Sequence, residues 1–169
     1  LLRKILHDPL RDVAVDGVRG FVDHLAVEVP VGEGVGIADL DNDGDMDMKL
    51  TGSDSSWTPR TLLYENTGTG LVYVPNSFSG MASSSADWGD FDGDGDEDLL
   101  ITGYDYTYWS YASLYRNEGS GVFTFYQGFP GVSSGDGRFC DFDNDGFLDV
   151  IITGSLSTAI YQNFFFEFY

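Results

Sequence analysis

The stretch DLDNDGDMD at 39–47 places five aspartates on alternate positions of nine residues. Carboxylates this dense repel one another unless a cation is shared between them, and oxygen-only donors suit a hard cation. The pattern returns as DFDGDGDED at 90–98 and DFDNDGFLD at 141–149. Asp39, Asp90 and Asp141 open the three runs, each 51 residues after the one before. A fixed period of that size marks a repeat architecture, each unit being one supersecondary module. All three runs share Asp at positions one, three, five and nine and Gly at position six, where a sharp turn lets the chain wrap an ion.

The spacing decides between kinds of loop. An EF-hand needs a bidentate Glu at position twelve. Leu50, Ile101 and Ile152 stand there, each inside an apolar stretch, which excludes it. The competing reading is a solvated acidic turn without metal. Four converging carboxylates would then raise one another's pKa and cost stability, so a calcium site is the better expectation. The remaining acids, Asp45, Asp96 and Glu97, read as solvated rim charge at the level of their side chains.

The elements that must position these runs follow at once. Behind each run comes a short apolar segment ending in Thr-Gly: MKLTG (48–52), LLITG (99–103) and VIITG (150–154). β-Branched and apolar residues closed by Gly read as a buried strand. A variable loop leads to TLLYEN (61–66), ASLYRN (112–117) and TAIYQN (158–163). LVYVPN (71–76) and VFTFYQ (122–127) come after a further turn. VGIADL, ADWGDF and GRFCDF supply a strand before or into each run, and Trp88 in the second is expected in the core. Four short strands per repeat match a β-propeller blade, and helical periodicity is absent from residue 20 onward. The class is all-β: three four-stranded repeats at 20–78, 79–129 and 130–169. FVDHLAV (21–27) is expected as a strand ahead of the first full repeat. Residues 1–19 stay unassigned, with a short helix broken at Pro9 as one reading.

D-x-D-x-D-G-x-x-D followed by an apolar strand and Thr-Gly resembles the FG-GAP/VCBS-type repeats of integrin α-subunit propellers and many bacterial surface proteins. The resemblance covers about residues 20–163. It implies calcium held by the side chains of Asp39, Asp41, Asp43 and Asp47 with the carbonyl of Asp45. The second set is Asp90, Asp92, Asp94 and Asp98 with the Asp96 carbonyl. The third is Asp141, Asp143, Asp145 and Asp149 with the Phe147 carbonyl. About three calcium ions per chain follow. Such a shell leaves no open catalytic position, so the metal is expected to staple the turn between two strands. Calcium supply then points to an extracellular or cell-surface setting.

Composition bounds the remaining classes. The formal charge is −20, from 28 acids against 8 bases, and 15 of those acids lie in the three runs. With no basic stripe, nucleic acid is disfavoured as a partner. No apolar run is long enough to span a membrane as a helix. LLRKILHDPL at the start lacks the apolar core and cleavage site of a signal peptide. The sequence does not begin with Met, so it reads as processed or as part of something larger. Cys140 reads as a small buried residue, not a nucleophile. His7 and His24 have no partner at a recognisable spacing, and no G-x-S-x-G, P-loop or H-E-x-x-H occurs. A non-enzymatic module for adhesion or ligand recognition is expected. A carbohydrate-binding (lectin-like) or lyase-associated propeller and a self-assembling structural unit are the alternatives.

Two features stand outside the repeat logic. YDYTYWSYA (104–112) aligns with SDSSWTPRT (53–61), so Trp57, Tyr106, Tyr108 and Trp109 could stack on sugars or on a partner's apolar side chains. The plainer reading, that the tyrosines extend a hairpin and pack on the neighbouring blade, is favoured. Propellers typically close with four to eight blades. Three runs and a third repeat lacking its last turn therefore raise a homodimer of six blades, with 21–27 of each chain completing the other's last blade. The rival is a part of a longer propeller.

Overall fold

The computed structural model describes residues 31–132, 134–154 and 157–163, with side chains from Gly34 onward except at Ser157. The expected strand at 21–27, the segment 1–19 with both histidines, and the final 164–169 lie outside the described residues.

Among the described residues, eleven strands form three antiparallel sheets. The first holds β1 (Val31–Ala38), β2 (Asp47–Ser53), β3 (Pro59–Asn66) and β4 (Leu71–Val74) in sequence order. The second holds β5 (Ala82–Gly89), β6 (Asp98–Tyr104), β7 (Ser110–Asn117) and β8 (Phe123–Pro130). The third holds β9 (Asp136–Cys140), β10 (Asp149–Gly154) and β11 (Ser157–Tyr161). Strictly sequential order in each sheet is the up-and-down connectivity of a propeller blade. Among the described residues the third blade has three strands, and neither ring closure nor a dimer is part of the structure.

The acidic runs are the hairpin connections between the first two strands of each blade. Ala38 pairs with Asp47, Gly89 with Asp98 and Cys140 with Asp149, so position nine of each run is the first residue of the second strand. Cys140, expected to be buried, is half-buried at this closing pair, and desolvation pushes its thiol pKa up.

Two apolar seams hold the blades together, and they are copies of each other. Leu40 and Leu63 of the first blade meet Leu99, Ile101 and Tyr115 of the second. Phe91, Leu100 and Leu114 of the second meet Val150 and Ile152 of the third, with Tyr161 packed against them. Trp88 is partly buried on the first seam, its ring 5.9 Å from that of Phe123. Gly36 allows this, since a Cβ there would sit 2.7 Å from Trp88 Nε1. Lys49 breaks the symmetry. It stands where the second blade has Leu100, yet it is only 1% exposed. Burial lowers its pKa to about 8, and no ion pair to it occurs among the described residues.

Candidate metal centres

Each acidic loop is built on a frame of backbone amides. The position-one carboxylates, Asp39, Asp90 and Asp141, accept the position-five amide on Oδ1 at 3.0–3.1 Å. Their Oδ2 atoms accept the amide of Gly44, Gly95 or Gly146 at 3.0 Å. Those glycines share φ of 93–95°, a conformation that would strain any side chain. Position four is also left-handed, at Asn42 (φ 60°), Gly93 (φ 75°) and Asn144 (φ 63°), the residue types that tolerate it. At position five, Asp43, Asp94 and Asp145 accept the position-seven amides of Asp45, Asp96 and Phe147 at 2.8–3.0 Å.

Position nine anchors the loop to the blade. Asp47, Asp98 and Asp149 are buried, and their Oδ2 atoms accept the position-two amides of Leu40, Phe91 and Phe142 at 2.9–3.0 Å. Their Oδ1 atoms accept the amides of Asn66, Asn117 and Asn163 at 2.7–2.8 Å. These asparagines end the third strand of the first two blades and follow it in the third. Burial pushes Asp98 up to about 7, against the pull of its two amides, and Asp92 and Asp94 add like charge. Asp47 is raised for the same leading reason.

The loops bring carboxylate oxygens within 4.8 Å of one another: Asp39, Asp41 and Asp43; Asp90, Asp92 and Asp94; Asp141, Asp143 and Asp149. Positions one, three and five thus converge in the first two loops, and one, three and nine in the third, while Asp145 stands outside that triad. The donor set is oxygen throughout and its like charges lie close together, which fits a hard divalent cation. Of the supposed rim acids, Asp96 has a role of its own. Its Oδ1 accepts Asn42 Nδ2 at 2.6 Å, tying the second loop to the first.

The residue before each anchoring asparagine differentiates the loops. Arg116 lies with Nε 2.8 Å from Asp92 Oδ2, an ion pair by distance whose N–H is not aligned for a hydrogen bond. Its Nη2 donates to Asp94 Oδ2 at 3.1 Å. Gln162 donates to Asp143 Oδ2 at 3.0 Å. Glu65 lines the same small cavity as Asp41 and Asp47. Sequence reasoning placed Tyr-Glu-Asn, Tyr-Arg-Asn and Tyr-Gln-Asn at one strand end and gave them no role. The recurrence of Tyr-x-Asn after each acidic run, its Asn 27 residues past the first aspartate in two repeats and 22 in the third, was the available signal.

The asparagine side chains also join blades. Asn117 Nδ2 donates to Leu40 O at 2.9 Å and Asn163 Nδ2 to Phe91 O at 3.0 Å, each reaching position two of the preceding blade's loop.

These loops, their spacing and the sequential antiparallel blades define a repeat protein with acidic clusters that could hold metal. The chain belongs to the FG-GAP-like repeat family, whose model matches residues 39–101 and 90–152. Each match begins on the first aspartate of one loop and ends in the strand behind the next. No curated protein matches the chain.

Proposed function

We propose that the protein is a calcium-stabilised recognition module, each loop taking one calcium that fixes the first turn of its blade. One observation carries this: the same amide-supported carboxylate frame is built three times at identical register. Positions one, three, five and nine would contribute side chains, and Asp45, Asp96 and Phe147 their carbonyls. The bound ion would neutralise clustered charge and lock the hairpin between the first two strands. In this reading the carboxylates serve as ligands, and the module is non-enzymatic. An extracellular or cell-surface setting, where calcium is plentiful, suits it. Thermal unfolding in calcium, in chelator and in magnesium tests the reading. Calcium should raise Tm well above the chelator value and magnesium much less, because an irregular shell of this kind suits the larger ion. Equal Tm in all three would contradict it.

The partner proposed for the two outer faces is a further blade of the same kind. Val35 and Ile37, at the positions of Ala86 and Trp88, are 63% and 61% exposed. On the other end Phe142 and Ile160, at the positions of Phe91 and Leu114, are exposed as well. The two faces are the opposite halves of the internal seam, so each fits the other. A second copy would close a six-bladed ring, and additional repeats of a longer chain would serve equally. Light scattering on the chain alone and on Ile37→Asp distinguishes them: a dimer lost in the variant supports the copy, and a stable monomer supports the longer chain.

A further inference from the structure

At the end of the sheets opposite the acidic loops, the β2–β3 and β6–β7 connections are two versions of one turn. Asp54 N donates to Thr58 O at 2.9 Å and Asp105 N to Trp109 O at 3.1 Å. Trp57 N donates to Asp54 O and Tyr108 N to Asp105 O, at 2.9 and 3.0 Å. The Asp54 carboxylate accepts the amides of Ser56 and Thr58, and that of Asp105 accepts the amide of Thr107. The turns hold Trp57 and Tyr108 at φ of 61° and 62°, a left-handed conformation uncommon for bulky residues. Such strain persists only where the surroundings impose it, and it gathers at ligand sites.

What the turns achieve is presentation. The expectation that these aromatics pack on a neighbouring blade does not hold: Trp57 is 85% exposed, Tyr108 82% and Tyr106 76%. Tyr108 instead stacks on Tyr104 at 5.8 Å and 23°. Between the two turns lies a cleft of about 310 Å³ lined by Trp57, Tyr104, Tyr106, Tyr108, Thr58 and Asp105, among others. Trp109 is exposed but lies outside the lining.

We propose that this interblade cleft binds a neutral saccharide; this supplies the ligand class for the recognition module proposed above and rests on that reading. Flat aromatic faces are electron-rich and attract the polarised C–H bonds of a sugar ring. Thr58 and Ser53 in the lining bring hydroxyls that would exchange hydrogen bonds with sugar hydroxyls, the placed polar groups that fix orientation beside the aromatic faces. The lining has no Leu, Ile, Val or Met, so its apolar surface consists of flat aromatic rings and Pro59. It also has no Lys or Arg, and on a chain of charge −20 an anionic ligand is repelled.

Tryptophan fluorescence during titration with neutral oligosaccharides tests this, using tetramers of β-linked glucose, N-acetylglucosamine and galactose, alongside an immobilised neutral-glycan panel. At least one glycan should shift the emission. Trp57→Asn, which keeps the left-handed turn, and Tyr106→Ala should each weaken that binding by about tenfold or more. Trp109→Ser should leave it unchanged. No response to any glycan, or an equal loss in Trp109→Ser, would overturn the proposal. So would Trp57-dependent binding of an aromatic-rich peptide with none of any glycan. Calcium calorimetry on Trp57→Asn separates the two readings. Unchanged calcium binding with sugar binding lost supports the cleft, whereas sugar binding in a protein that takes no calcium retains the cleft and removes the calcium module.

Discussion

Arg116 reaches across its blade to the second acidic loop, its Nε 2.8 Å from Asp92 Oδ2 and its Nη2 3.1 Å from Asp94 Oδ2. The guanidinium stands beside two expected metal ligands as a counter-cation supplied by the chain. Burial and the neighbouring Asp94 raise the Asp92 pKa, and Arg116 opposes them. The equivalent residue is Glu65 in the first blade and Gln162 in the third. The three loops therefore differ in charge although all share Asp at positions one, three, five and nine.

The first prediction is that the second loop binds calcium most weakly, because the ion must displace or face Arg116. Arg116→Gln, which copies the third blade, should strengthen that site by roughly three- to tenfold, the modest range expected for a partly exposed ion pair. Calorimetry on the two proteins checks it. A weaker or unchanged second site would mean that Arg116 supports the loop without competing for its ligands.

A second prediction concerns the asparagine ties. Asn117 is buried, and its side chain donates to Leu40 O at 2.9 Å and Glu97 O at 3.3 Å. Asn117→Ala should cost about 2 kcal/mol, since it removes both bonds of a buried amide and leaves Leu40 O with the Gly121 amide alone. For a chain of this size that is a fall of about 4–8 °C in Tm. Asn66→Ala should cost less, because among the described residues the Asn66 side chain makes only a local bond, to the Gly68 amide. Equal losses in the two variants would show that the interblade bond contributes nothing.

Lys49 gives the third. Its pKa, lowered to about 8 by burial, lies below the value of about 10.4 of a free lysine. The unfolded chain binds more protons in that interval, so stability should rise as pH climbs from about 8 to about 10.4. Below about 8 both states are charged and the penalty is complete. Lys49→Leu, restoring the residue type of Leu100, should add about 2–3 kcal/mol at pH 7 and abolish the rise. Denaturant titrations at pH 7 and pH 10 measure both effects. A variant less stable than the parent at pH 7 would contradict the assignment of Lys49 to the apolar seam.

How much of this was legible beforehand depends on what repeats. The acidic loops, the strand behind each and the all-β class followed from a period that recurs with its flanks, and backbone geometry at Gly44, Gly95 and Gly146 agrees. Asp145 illustrates a limit: its place in the motif matches that of Asp43 and Asp94, but the close triad in its loop uses Asp149 instead. The Arg116 contact was out of reach because it depends on strand register, which pairs Leu99 with Tyr115 and so brings the following residue beside the loop. The aromatic turns were read as hairpin because tyrosine favours strands. Asp54 and Asp105 capture the nearby amides first, which ends the strand and turns the rings outward.

Each of the three loops is proposed to hold one calcium ion. Isothermal titration of chelator-stripped protein with calcium tests it most directly. Three ions per chain, one for each acidic cluster, with the second site weakest, is the predicted result. Saturation at one ion, or no binding heat at all, would contradict it.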